Sequence, residues 1–96
     1  MPGLWLIVAC ADPVDAFVVA RAEAVCARHD RCGTLAAAGF TDEADCLAAL
    51  LGAARTAKRA PCRGYADAAA DACLAAWDET ACEDVPELSV CDDVCR

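Results

Sequence analysis

The chain has 96 residues, nine cysteines, and sixteen acids against eight bases, for a formal net charge of -8. That length allows one small domain at most, and the acidic balance argues against nucleic acid and anionic lipid surfaces as electrostatic partners, because both carry the same sign. The hydrophobic fraction of 59% overstates the core, since alanine and cysteine supply most of it. A domain this small with so few large apolar side chains needs covalent staples.

Asn and Gln are absent, one Lys stands against seven Arg, and alanine is roughly a quarter of the chain. This bias looks like GC-rich coding, so the preference for Arg is weak evidence of function. The charge is uneven: residues 1–63 hold seven acids and seven bases, whereas residues 64–96 hold nine acids and only Arg96. An acidic last third leaves cations, basic proteins or plain solubility open, and solubility is the commonest reason.

Taken in order, the chain opens with an apolar run, Leu4 to Ala9, that closes at Cys10. Val8 and Ala9 are small residues of the kind a signal peptidase accepts before its cut site. Leu6-Ile7-Val8-Ala9-Cys10 resembles a bacterial lipobox, and that resemblance implies that Cys10 is lipidated on sulfur, becomes the new N-terminus and holds the protein to a membrane leaflet. Residues 1–10 are then a remnant of a signal peptide, and 11–96 a single cysteine-rich helical domain. No basic residue precedes Cys10, and the run is shorter than a signal's roughly 7 to 15 apolar residues. Either the true start lies upstream, or this is a stray apolar terminus and Cys10 is an odd thiol. The run is also too short to span a bilayer, which takes roughly 20 residues. Beyond Cys10 stand Cys26, Cys32, Cys46, Cys62, Cys73, Cys82, Cys91 and Cys95, an even set that implies disulfides and an oxidising compartment.

Asp12-Pro13-Val14-Asp15 is a helix start: Asp12 caps, Pro13 fits the first helical position and Asp15 favours the positive end of the dipole. Val14, Val18, Ala22, Val25, His29 and Cys32 recur at helical spacing beside Phe17, with Asp15, Glu23 and Asp30 on the other side. Gly33 supplies the stop, and Thr34 to Gly39 reads as a connection. A second helix is expected from Thr41, with acids in its first turn, to about Arg59. Its stripe is Leu47, Leu50, Leu51 and Ala54, and Arg55, Lys58 and Arg59 lie at its negative end. A third is expected from Gly64 or Tyr65 to Trp77, packing through Tyr65, Ala69, Ala72, Cys73 and Ala76 and exposing Asp67, Asp71 and Asp78. Ser89 can start a short terminal helix carrying Cys91 and Cys95. No strand-like alternation is present. The expected fold is all-α, a small disulfide-stapled bundle of three main helices plus a short C-terminal helix.

Eight cysteines allow 105 pairings, and sequence cannot choose among them. The expected course of the chain suggests Cys32 with Cys46 across the first connection, Cys73 with Cys82 around the end of the third helix, and Cys62 with Cys91 or Cys95 as the tail runs back. Cys26, His29 and Cys32 are the nearest approach to a metal motif, but in an exported chain disulfides account better for the cysteines, and His29 reads as a helix-end cation or a partly packed ring. One His, one Ser and oxidised cysteines supply acid-base or nucleophilic catalysis poorly. Asp78-Glu79, Glu83-Asp84 and Asp92-Asp93 do not match a calcium loop. An enzyme is therefore not expected, nor any cofactor.

The lipobox, the helices bearing Cys26 with Cys32 and Cys46, and Cys73-Leu74-Ala75-Ala76 followed by Cys82 resemble the small alanine-rich, cysteine-rich predicted lipoproteins of high-GC bacteria such as myxobacteria. The chain lacks the adjacent Cys-Cys and the Cys-x-Cys of plant lipid-transfer proteins and the six-cysteine pattern of saposin-like domains. The resemblance implies a class and no activity, and no functional residue is carried over. The expected function is a cell-envelope lipoprotein, periplasmic or on the outer surface, acting as a structural or protein-binding module. Its partners would be the membrane, through a lipid on Cys10, and a basic or envelope protein, with no nucleic acid. A freely secreted effector or inhibitor is the first alternative, and a metal-binding protein using Cys26, His29 and Cys32 the second.

Overall fold

The computed structural model describes residues 12–57 and 62–95. The segment 1–10 with Cys10, the basic pair Lys58 and Arg59, and Pro61 lie outside the described residues.

Helix α1 spans Pro13–Cys32. Asp12 is extended, and its Oδ1 accepts the Val14 N–H at 2.8 Å, while Pro13 opens the helix where no N–H is needed. At the other end Gly33 turns left-handed (φ 68°), and the N–H groups of Gly33 and Thr34 return to the carbonyls of Asp30 and His29 at 3.2 and 2.9 Å. Both boundaries are those expected from the sequence.

Helix α2 spans Glu43–Thr56. Its cap is Asp42, one residue beyond the Thr41 expected: the Asp42 carboxylate accepts the Asp45 N–H at 2.7 Å, and the Asp45 carboxylate accepts the Thr41 N–H at 2.9 Å. The exchange satisfies two N–H groups at the helix start. The helix stops at Thr56, short of Arg59, with Ala57 already extended.

Helix α3 spans Asp67–Glu79, starting later than Tyr65 and ending two residues past Trp77. Tyr65 is drawn out of the helix into an isolated antiparallel bridge with Cys95, and the Ala66 N–H donates to the Val94 carbonyl at 2.9 Å. Its packing face is also rotated from expectation. Ala70 and Cys73 are buried and Ala69 and Trp77 half-buried, whereas Ala72 is exposed. Asp67, Asp71 and Asp78 face solvent as expected. The terminal element is a 3₁₀ helix, Ser89–Asp93, rather than an α-helix.

The fold is all-α, with no strand among the described residues. Helix α1 is its centre: α2 and α3 each pack on α1 and not on each other, and the 3₁₀ helix packs on α3. Four disulfides staple this arrangement: Cys26–Cys46, Cys32–Cys82, Cys62–Cys95 and Cys73–Cys91. Two of the pairings suggested by the expected course of the chain are corrected. Cys32 does not meet Cys46, because Cys26 and Cys32, six residues apart on one helix, point about 120° apart. Cys26 faces α2, and Cys32 is free to reach the loop after α3. Cys73 does not meet Cys82, because it lies well inside α3 and faces the 3₁₀ helix. Of the two partners suggested for Cys62, the one bonded is Cys95.

The core is thin. Its largest fully buried side chains are Cys26, Cys46 and Cys73, accompanied by Ala22, Ala24, Ala70 and Val94. Around Ala70, Cys73 and Val94 pack Phe17, Tyr65, Trp77 and Val90, and the Phe17 and Tyr65 rings meet edge to face at 6.4 Å.

If the buried sulfurs are core as well as cross-link, replacing Cys26 and Cys46 by alanine should cost more than replacing Cys62 and Cys95, of which Cys95 is exposed. Loop length alone favours the opposite order by only about 0.4 kcal/mol, whereas deleting two buried sulfurs adds on the order of 1–3 kcal/mol. Denaturant unfolding of the two double variants gives the ranking, and a larger loss for the Cys62–Cys95 pair would contradict it.

Candidate functional site

The residues singled out as possible ligands do not form a metal centre. Cys26 and Cys32 are consumed in disulfides to Cys46 and Cys82, so neither offers the thiolate a metal needs. His29 turns the other way: its Nδ1 lies 2.7 Å from the Thr34 Oγ1, and its ring meets Phe40 edge to face at 6.4 Å. It ties the end of α1 to the connection that follows. Among the described residues no group of three His, Cys, Asp or Glu side chains is placed to hold a metal ion.

The acidic pairs are spread over the surface. Asp78, Glu79, Glu83, Asp84 and Asp92 are exposed, with Asp93 half-buried. Ser89 is engaged locally: its N–H donates to the Glu87 Oε1 at 3.0 Å, and hydrogen bonds from the Ser89 side chain and backbone hold the Glu87 carboxyl below its usual range. Burial pushes the Tyr65 phenol above its ordinary value, and the Asp67 and Asp71 carboxylates push the same way, so the ring stays neutral through physiological pH.

An interaction absent from the sequence reading holds the C-terminal half in place. Helix α3 has no basic residue in its last turn, so the carbonyls at and just beyond its C-terminus need partners from elsewhere. Helix α1 provides them. The Arg28 guanidinium donates to the carbonyls of Thr80 at 2.5 Å, Asp84 at 2.9 Å and Ala81 at 3.1 Å, and Arg31 donates to the Trp77 carbonyl at 3.4 Å. Two cations thus sit at the negative end of the α3 dipole, beside the Cys32–Cys82 bond. Only the planar fork of an arginine reaches three carbonyls at once. The one available signal was the i, i+3 spacing of Arg28 and Arg31 at the end of a helix, which specifies no partner.

The surface carries two larger concavities. One, about 690 Å³, lies at the start of α1 against the Cys62–Cys95 bond, with Asp12, Asp15 and Asp92 on its rim. The other, about 440 Å³, follows from the packing. Because α2 and α3 do not touch, a cleft remains between them, with Phe17, Val18 and Val25 of α1 along its floor. Leu50 and Ala54 form one wall and Trp77 the other, and among the described residues Arg21 is the only charged one that lines it. The Trp77 Nε1 is buried and has no hydrogen-bond partner.

Comparison with protein-family models, curated proteins and solved structures finds no match to this chain. Four disulfides mark an oxidising, extracytoplasmic environment, and no helix among the described residues is long and apolar enough to cross a membrane.

Substituting Arg28 by alanine should strand the carbonyls of Thr80, Ala81 and Asp84 and cost about 1–2 kcal/mol, with faster amide exchange at the end of α3. Lysine should recover only part of this, since an ammonium cannot span the three acceptors. Thermal melts and hydrogen exchange of the two variants check this. Equal stability of the wild type and Arg28→Ala would contradict the clamp.

Proposed function

We propose that the chain is an exported envelope lipoprotein, held to a membrane leaflet by a lipid on Cys10, whose disulfide-stapled helices act as a binding module rather than as a catalyst. The observation that carries the reading is the complete pairing of the eight cysteines from Cys26 to Cys95 with one another. Cys10 is thereby left without an intrachain partner, in the one place where the flanking residues fit a lipobox. The helix cap at Asp12, two residues further on, supports it too: the folded domain starts where a mature chain beginning at Cys10 would start. So short a tether would keep the acidic domain close to the bilayer, where its net charge favours basic proteins as macromolecular partners.

Expression of the gene with its natural upstream sequence in a bacterial host tests the proposal. The wild type should fractionate with membranes, begin at Cys10, carry acyl mass, and gain eight hydrogen atoms on reduction of its four disulfides. Cys10→Ala should keep the same disulfides and lose the membrane association. An unmodified Cys10 in a chain recovered from the medium would overturn the proposal in favour of a freely secreted protein.

A further inference from the structure

The cleft between α2 and α3 is more apolar than the other three concavities described, and among the described residues Arg21 is the one charged side chain that lines it. On its own helix the residues four positions to either side are Phe17 and Val25, so no carboxylate is stacked above or below it. No hydrogen bond or ion pair engages Arg21 among the described residues, whereas Arg28 and Arg31 on the same helix are both committed to carbonyls. The volume of about 440 Å³ lies within the range of small-ligand sites, which combine apolar walls with a few polar groups that fix orientation.

We propose that this cleft binds a single-chain fatty carboxylate. The hydrocarbon tail lies on the α1 floor between Leu50, Ala54 and Trp77, and the carboxylate takes a forked pair of hydrogen bonds from the Arg21 guanidinium. Tail burial supplies most of the affinity, and Arg21 selects the sign of the head group. The other concavities do not suit this ligand. Asp12, Asp15 and Asp92 line the wider one and Glu23 and Asp78 another, so both repel an anion, and a smaller depression between α1 and α2 has Asp15 as well as Arg55 in its lining. The lining residues named here all lie among the described residues, and the site does not depend on lipidation of Cys10.

The test uses the oxidised full chain carrying Trp5→Phe, which makes Trp77 the sole indole. Laurate, dodecanol and dodecyltrimethylammonium, each below its micelle concentration, are titrated against Trp77 emission. Laurate should give a saturable one-to-one change at least about tenfold tighter than dodecanol, and the cation should bind more weakly than either. Arg21→Gln should bring laurate to the affinity of dodecanol. Ala54→Phe should fill the cleft and abolish the response to all three, with Ala57→Phe, at an exposed lining position, as the substitute if Ala54→Phe does not form its four disulfides. Arg55→Gln should leave laurate binding unchanged. The proposal is overturned by the absence of a saturable response to laurate, by equal affinity for the three probes, or by laurate binding that survives Arg21→Gln.

Discussion

Everything in this molecule depends on sulfur placed where other small helical proteins place leucine. The helices are rich in alanine, which packs closely but buries little area, so apolar burial alone leaves a domain of this size marginal. The fully buried side chains of any bulk are cysteines, and two of the four disulfides, Cys26–Cys46 and Cys73–Cys91, run through the interior. Each fills space and removes conformations from the unfolded chain, worth about 2–4 kcal/mol apiece. Such a core requires oxidation to exist, and it ties folding to an extracytoplasmic compartment.

The second constraint is the position of α1. It carries the bond to α2 at Cys26, the bond to the loop beyond α3 at Cys32, and the arginines that donate to carbonyls at and just beyond the end of α3. The acidic last third, which has no base before Arg96, is held against a helix with three arginines, two of which reach across to it. Because α2 and α3 are both secured to α1, neither has to pack on the other. The cleft between them is a direct result of stapling: a protein relying on a shared apolar core would have closed it.

Local chemistry was legible in the sequence where it acts within a few residues. Asp12, Pro13 and Gly33 fixed α1 at both ends, and the acids after Thr41 marked α2 to within two residues. Misreadings arose where a distant partner intervenes. The start of α3 moved because Tyr65 is claimed by Cys95 and Ala66 by Val94, and its packing face turned because Ala70, not Ala72, meets the core. The pairings Cys32–Cys46 and Cys73–Cys82 followed the expected course of the chain, whereas the bonds formed follow helix phase. The cleft and the Arg28 clamp were invisible because each requires knowing which helices touch. Cys26, His29 and Cys32 look like ligands at three-residue spacing, but each is taken by a different partner, Cys46, Thr34 and Cys82 respectively.

The whole arrangement depends on α1 being bonded both to α2 and to the loop after α3. Proteolysis of the unreduced protein at acidic pH, where disulfides do not reshuffle, followed by mass spectrometry of the linked peptides, reads this directly. The fold described here predicts peptides joining Cys26 to Cys46, Cys32 to Cys82, Cys62 to Cys95 and Cys73 to Cys91. Recovery of Cys32 linked to Cys46, or of Cys73 linked to Cys82, would contradict it.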